Sequence, residues 1–226
     1  MLKKRLFMTI AGVLLTGFSV GMFQYSSLGM DPFQVFAHGI WNQLEFLKTG
    51  QGIRLLTEFD PANPVLSYGI VYMIINLILL VFDLFLDRKK IGIATFINLF
   101  LLGYVVDFSY AIWHKLLPDP GIAIRILFLI AAIFIMCFGS AFYFTGNLGV
   151  STYDAIALTL SEKKGWDFRI VRILSDLVVT GVGFLFGILP GVGTIITAFF
   201  MGPLIGFFRK KVAEPFLYGK TGKGKE

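Results

Sequence analysis

Ser26-Ser27-Leu28-Gly29-Met30-Asp31-Pro32 interrupts an apolar run with a Leu-Gly step, a carboxylate and a proline. This order marks the start of a second helix, because Asp accepts a free backbone N–H just ahead of a proline at the first helical position. The pattern returns 120 residues later in Asn147-Leu148-Gly149-Val150-Ser151-Thr152-Tyr153-Asp154, where Ser151-x-x-Asp154 reads as a capping box. At that offset Ile10-Ala11 also matches Ile130-Ala131, Phe18 matches Phe138 and Ala37 matches Ala157. At an offset of 100, Ile70-Val71 and Leu77 match Ile170-Val171 and Leu177, with Asn76 opposite Asp176. At 99, Gly92, Thr95, Gly103 and Phe108 match Gly191, Thr194, Gly202 and Phe207. Apolar identities are weak one by one; their common order and the recurring polar positions argue for internal duplication.

Composition sets the solvent. Of 226 residues 56% are hydrophobic and 15% charged, and a soluble chain of this size would need more polar surface. The 25 Phe and 25 Gly suit lipid-facing bulk and close helix contacts. The chain is therefore expected to be an all-α integral membrane protein whose first partner is the lipid bilayer. A single cysteine, Cys137, excludes an internal disulfide and a cysteine-based metal cluster. The net charge of +6 sits at the ends of apolar segments, which fits membrane orientation and no nucleic-acid partner.

A helix needs about 20 apolar residues to cross the hydrocarbon. Spans are expected at 6–25, 66–86, 91–112, 122–144, 169–189 and 191–208, the last two forming a tight helical hairpin through Leu189-Pro190-Gly191. Six transmembrane helices then form two inverted-topology three-helix repeats, because an odd number of spans per copy makes the copies enter from opposite sides. Repeat A covers 1–115, with an external loop at 44–64, and repeat B covers 116–209. A basic cytoplasmic tail covers 210–226, its last residues disordered. Sixteen basic residues fall on one side (among them Lys3, Arg88, Lys163 and Lys210) and four, Lys48, Arg54, Lys115 and Arg125, on the other. The positive-inside rule then places both termini in the cytoplasm of a multi-pass cell-membrane protein. The first segment follows Lys3-Lys4-Arg5 like a signal peptide but has a partner copy at 126–144, so it is expected to be a retained span.

Residues 31–47 and 151–162 are too short and polar to cross. Each is expected to be either a surface-lying amphipathic helix or a re-entrant one, the latter implying a cavity, because such backbone survives at membrane depth only where protein or water covers it.

The Pro and Gly spacing of these two helix starts, with Gly191-Val192-Gly193-Thr194 leading to Gly202-Pro203, resembles the bacterial YczE/YyaS/YitT group of membrane proteins. The resemblance spans most of the chain and implies a small polytopic protein of about five or six spans. It implies no activity for particular residues.

Asp at the centre of a spanning helix costs roughly 2.5–3.5 kcal/mol to insert, which singles out Asp176. With Asn76 in its place in the first copy, it is expected either to bind a cation, proton or substrate amine, or to pair with Arg172 one turn back. Asn98 and Thr197 form another matched pair, for substrate or for interhelical hydrogen bonds. Asp31 and Ser151 open the short helices, with Gln34 opposite Asp154; they either cap those helices or place their N-termini on a cavity that binds an anionic group. Asp107 is expected to face outer headgroups, and Asp83 and Asp87 to neutralise Arg88-Lys89-Lys90. Trp41, Trp113 and Trp166 suit an aromatic belt, and Gly17-x-x-x-Gly21 suits a helix contact. His38 and His114 lack metal-ligand spacing, and no Walker loop, zinc-protease pattern or nucleophile elbow occurs.

These readings lead to a transporter or exporter of a small polar solute, coupled to protons or cations through Asp176, with no cofactor, no metal and no enzymatic activity. A homodimer or a partner ATPase would also suit the chain. The alternatives are a substrate-binding membrane component of an ATP-driven importer and a structural or regulatory membrane protein.

Overall fold

The computed structural model describes residues 1–48 and 67–219, and within them it is helical with no strands. Apolar segments in lipid have no alternative: unpaired backbone polar groups cost several kcal/mol each, and a helix satisfies its own. The helices are α1 (Leu2–Ser26), α2 (Pro32–Lys48), α3 (Tyr68–Leu86), α4 (Ile93–Leu116), α5 (Ile122–Gly146), α6 (Thr152–Lys164), α7 (Phe168–Leu185) and α8 (Val192–Phe208). A wide turn over Arg209–Ala213 continues α8 into α9 (Glu214–Tyr218).

Among the described residues five helical segments are long and apolar enough to cross a membrane: α1, α3, α4, α5 and Val192–Tyr218. The expected fifth span, α7, has only 18 residues and carries Arg169, Arg172 and Asp176. The outside of the bundle is apolar, with Phe85, Phe100, Phe108, Leu127 and Phe200 all more than half exposed. In water such a surface would aggregate; in lipid it is the surface a spanning bundle requires.

Small residues set the packing. A Cβ on Gly12 of α1 would lie 2.6 Å from the Gly139 carbonyl oxygen of α5, so these two helices cross backbone to backbone. The expected contact at Gly17 and Gly21 is made with α4, at Val105 and Ser109, and the Ser109 hydroxyl donates to the Phe18 carbonyl at 2.7 Å. Around this centre α4 packs on α1 and α8 on α5, while α2 packs mainly on α7 and α6 lies against both α3 and α7. Each short helix thus touches a helix of the opposite half.

Two junctions lock the halves together with matching atoms. Leu28, after α1, accepts from Gly193 N at 2.8 Å, and Leu148, after α5, accepts from Ala94 N at 3.0 Å. These residues lie 120 and 99 positions apart, as do the sequence matches. The next residues, Gly29 and Gly149, have φ of 112° and 114°, a left-handed conformation that favours glycine. A Cβ on Gly191 or Gly92 would come within 2.2 or 2.1 Å of the accepting carbonyl oxygen, so the junction requires glycine there.

Several expectations change. Helix α2 runs to Lys48, so helix occupies the first part of the stretch expected as an external loop at 44–64; the rest lies outside the described residues. The expected tail at 210–226 begins as helix: Ala213 and Leu217 bury against Met8, Ala141 and Phe142. The last seven residues lie outside the description. Trp41 is buried against His38 and Tyr68 and is no belt residue. Asp107 accepts from Ser67 Oγ and, at 3.0 Å, from Gly69 N, so it caps α3 and does not merely face headgroups. Asp83 is 1% exposed, and neither carboxylate oxygen has a hydrogen-bond partner among the described residues, so it does not pair with the nearby basic cluster. Asp87 accepts from Lys89 N at 3.0 Å and holds that turn.

Candidate functional site

The starts of the two short helices meet inside the bundle. Phe33 of α2 and Tyr153 of α6, 120 residues apart, stack with ring centroids 4.7 Å apart and planes 16° from parallel. Helix α2 is enclosed along most of its length, and α6 buries its first half and exposes its second, so the two helix starts lie inside the bundle. The two starts border a cavity of roughly 410 Å³ whose other walls come from α1, α3, α4, α5, α7 and α8. All eight polar residues singled out in the sequence line it: Asp31, Gln34, Asn76, Asn98, Ser151, Asp154, Asp176 and Thr197.

One side of the cavity is charged. Arg172 of α7 pairs with Asp154, and its Nε lies 3.3 Å from Asp176 Oδ1 one turn ahead. The same Oδ1 accepts from Tyr153 OH at 2.7 Å. The Arg172 guanidinium sits 4.5 Å from the Tyr153 ring centroid, within cation–π range. Ser151 Oγ accepts from Asp154 N at 3.2 Å and donates to Asp154 Oδ2 at 2.7 Å, so the α6 cap holds the carboxylate that Arg172 uses. The pairing of Asp176 with Arg172 and its place in the cavity, alternatives in the sequence, occur together.

The other side is largely neutral. Asn76 donates to the Tyr72 carbonyl at 2.8 Å and accepts from Thr152 Oγ1 at 2.7 Å, tying α3 to the start of α6. Gln34 accepts from Tyr68 OH. Asp31 Oδ1 accepts from Phe33 N at 3.1 Å and Gln34 N at 3.4 Å, which caps α2; Oδ2 has no partner among the described residues. Asn98 is buried in the wall, and Thr197 donates to Thr194 of its own helix at 3.0 Å, so this pair does not bond across helices.

The sequence reading passed over Phe33, Tyr72 and Tyr153, all lining the cavity, and took Arg172 only as a partner of Asp176. A signal existed: Tyr72 stands opposite Arg172 at the same offset of 100 that pairs Asn76 with Asp176. A second cavity of about 500 Å³ is bordered by Gln24, His38, Trp41, Ser67, Tyr68 and Asp107. His38 Nε2 meets Gln24 Nε2 at 2.7 Å, and its ring stacks on Tyr68 at 4.2 Å. The Tyr68–Gln34 hydrogen bond joins the walls of the two cavities. No group of three or more His, Cys, Asp or Glu suited to a metal ion occurs among the described residues.

Apolar helices of spanning length around a polar interior define a multi-pass membrane protein. The chain belongs to the family of unknown function DUF6198, whose model matches residues 3–210. It is 23% identical over 87% of its length to the uncharacterized membrane protein YczE of Bacillus subtilis, covering 81% of that protein. It is 24% identical, again over 87%, to an uncharacterized protein of Haemophilus influenzae, covering 79% of it. The resemblance to a YczE-type family therefore holds. No solved structure matches.

Proposed function

We propose that the protein is a secondary transporter or exporter of a small polar solute, built from two inverted-topology repeats that rearrange about the central cavity. One observation carries this reading: matched positions of the two halves converge on one partly open cavity bordered by the starts of two short helices. Broken or short helices meeting near the midplane at a repeat interface are the usual construction of a transporter site. The crossed packing of α2 on α7 and α6 on α3, with the matched Leu28 and Leu148 junctions, supports inverted repeats with α7 as the sixth crossing. The charges of α7 that make it a poor lipid-facing span are compatible with a crossing because Arg172 and Asp176 face the cavity. With no ATP-binding motif in the sequence, an ion gradient or a partner protein would drive the cycle. The purified protein in liposomes should exchange solute; candidates come from comparing metabolites in cells and medium after deletion and overexpression. Unaltered metabolite distributions in both strains would remove the transport reading.

The same reading places both termini in the cytoplasm of the cell membrane, with Lys48 outside and Lys163 inside. Cysteines placed at these two positions, after replacement of Cys137, should be labelled by an impermeant thiol reagent in intact cells at 48 and protected at 163. The reverse pattern would invert the topology.

A further inference from the structure

We propose that the central cavity binds a small protonated amine, with Asp31 as the counter-charge of its ammonium group. This rests on the transporter reading and names its substrate class. Three carboxylates, Asp31, Asp154 and Asp176, line the cavity against one guanidinium, Arg172. Arg172 contacts two of them, Asp154 and Asp176. Asp31 is 7% exposed, and its Oδ2 has no hydrogen-bond partner among the described residues. A buried carboxylate oxygen left in that state is costly, and a bound ammonium would supply both the N–H donor and the charge it lacks.

The surroundings distinguish an amine from other ligands. Phe33 and Tyr72, rings 5.8 Å apart, and Tyr153 stacked on Phe33 line the same cavity as Asp31. Aromatic faces attract an alkylammonium and cover its hydrocarbon part, whereas an inorganic cation requires a shell of oxygen ligands. An anionic solute would meet the excess of carboxylates. It would also find helix N–H groups already used, by Asp31 at the start of α2 and by Ser151 at the start of α6. The partial positive charge of the α2 start opposes a cation, but about half an elementary charge is less than the full charge of the carboxylate that caps it.

The second copy supplies the test variant. Ser151 occupies the place of Asp31 there and caps its helix, so Asp31→Ser removes the charge while keeping a capping side chain. Isothermal titration of the protein in lipid nanodiscs with n-butylammonium chloride should show saturable binding at constant ionic strength, and sodium butyrate and sodium chloride should show none. Asp31→Ser should weaken n-butylammonium binding at least about tenfold, the scale of a lost hydrogen bond to a charged group, with an unchanged thermal midpoint. Butyrate binding, equal binding of sodium, or wild-type affinity in Asp31→Ser would each overturn the proposal, as would no n-butylammonium binding at all. Flux of n-butylammonium into liposomes is measured separately. Binding without flux would leave the amine site standing and sink the transport reading; flux of another solute without amine binding would do the reverse.

Discussion

The two halves of the central cavity occupy matched positions and carry opposite chemistry. Where α6 and α7 present Asp154, Arg172 and Asp176, the corresponding places on α2 and α3 hold Gln34, Tyr72 and Asn76. The backbone around them is nearly the same: one glycine at a φ of 112° or 114°, one carbonyl received by the start of α8 or α4. The atoms that hold the frame match in the two halves, while the side chains facing the cavity differ. The ion pairs of the cavity lie in one half, and the carboxylate of Asp31 stands apart from them in the other.

The largest effect should come from the shared frame. Gly92→Ala and Gly191→Ala each force a Cβ to within about 2 Å of a carbonyl oxygen, and since backbone lies on both sides nothing flexible can yield. Both variants should lose most folded, monodisperse protein on gel filtration. Gly202→Ala, with nothing within 4 Å of its added Cβ, should behave as wild type. If only one junction glycine proves essential, the halves are less equivalent than their backbones.

Next comes the charged half. Arg172→Gln leaves Asp154 and Asp176 facing each other without a cation, and loss of one partner from a buried ion pair costs about 3–5 kcal/mol. Arg172 retains some exposure, so the low end is expected. The thermal midpoint should fall sharply, and adding Asp154→Asn and Asp176→Asn should restore much of it. Tyr72→Phe, the matching change in the neutral half, removes a hydroxyl that hydrogen-bonds the Asn76 side chain and should shift the midpoint by about 1 kcal/mol, well short of the effect in the charged half. A mild Arg172→Gln would mean the network stabilises little and exists for the solute.

Asp176→Asn is milder for stability and more informative for function. Arg172 keeps Asp154, the amide can still accept from Tyr153 OH, and Asn is what the first copy has at Asn76. The expected result is a midpoint within about 1 kcal/mol of wild type with solute exchange strongly reduced. Full exchange in this variant would take Asp176 out of the transport cycle and leave the neutral half, with Asp31, as the working side.

Sequence could reach the frame because the frame is made of glycines, helix caps and apolar lengths, which leave local marks. Leu28-Gly29 and Leu148-Gly149, the Asp31 and Ser151 caps, and six helix positions within a few residues were all legible that way. The polar lining was legible because a buried polar side chain in a spanning segment is costly and so conspicuous. Partnership was not legible. Nothing local shows that Asp154 on one short helix meets Arg172 eighteen residues on, that Asp107 reaches Ser67 and Gly69 to cap α3, or that Phe33 stacks on Tyr153. Those contacts arise from the crossing of one half over the other. Trp41 misled for the same reason: its position near a helix end suggests an interface, and only the packing of α2 under other helices buries it.

The smallest effect, Asp83→Asn, probes a difference between the halves away from the cavity. Asp83 of α3 stands opposite Gly183 of α7, where α2 and α7 approach so closely that a Cβ on Gly39 would lie 2.9 Å from Gly183 Cα. The first copy carries a carboxylate at a place the second reserves for backbone contact, and that carboxylate is buried with both oxygens unpartnered among the described residues. If it merely persists there, the amide is less costly to bury, and the variant should be as stable as wild type or more so by about 1 kcal/mol in thermal unfolding. Amine binding should be unchanged, because Asp83 is not part of the cavity wall. A loss of exchange without a loss of stability would give the carboxylate a task in the transport cycle, and the asymmetry of the halves would then extend along α3 beyond the central site.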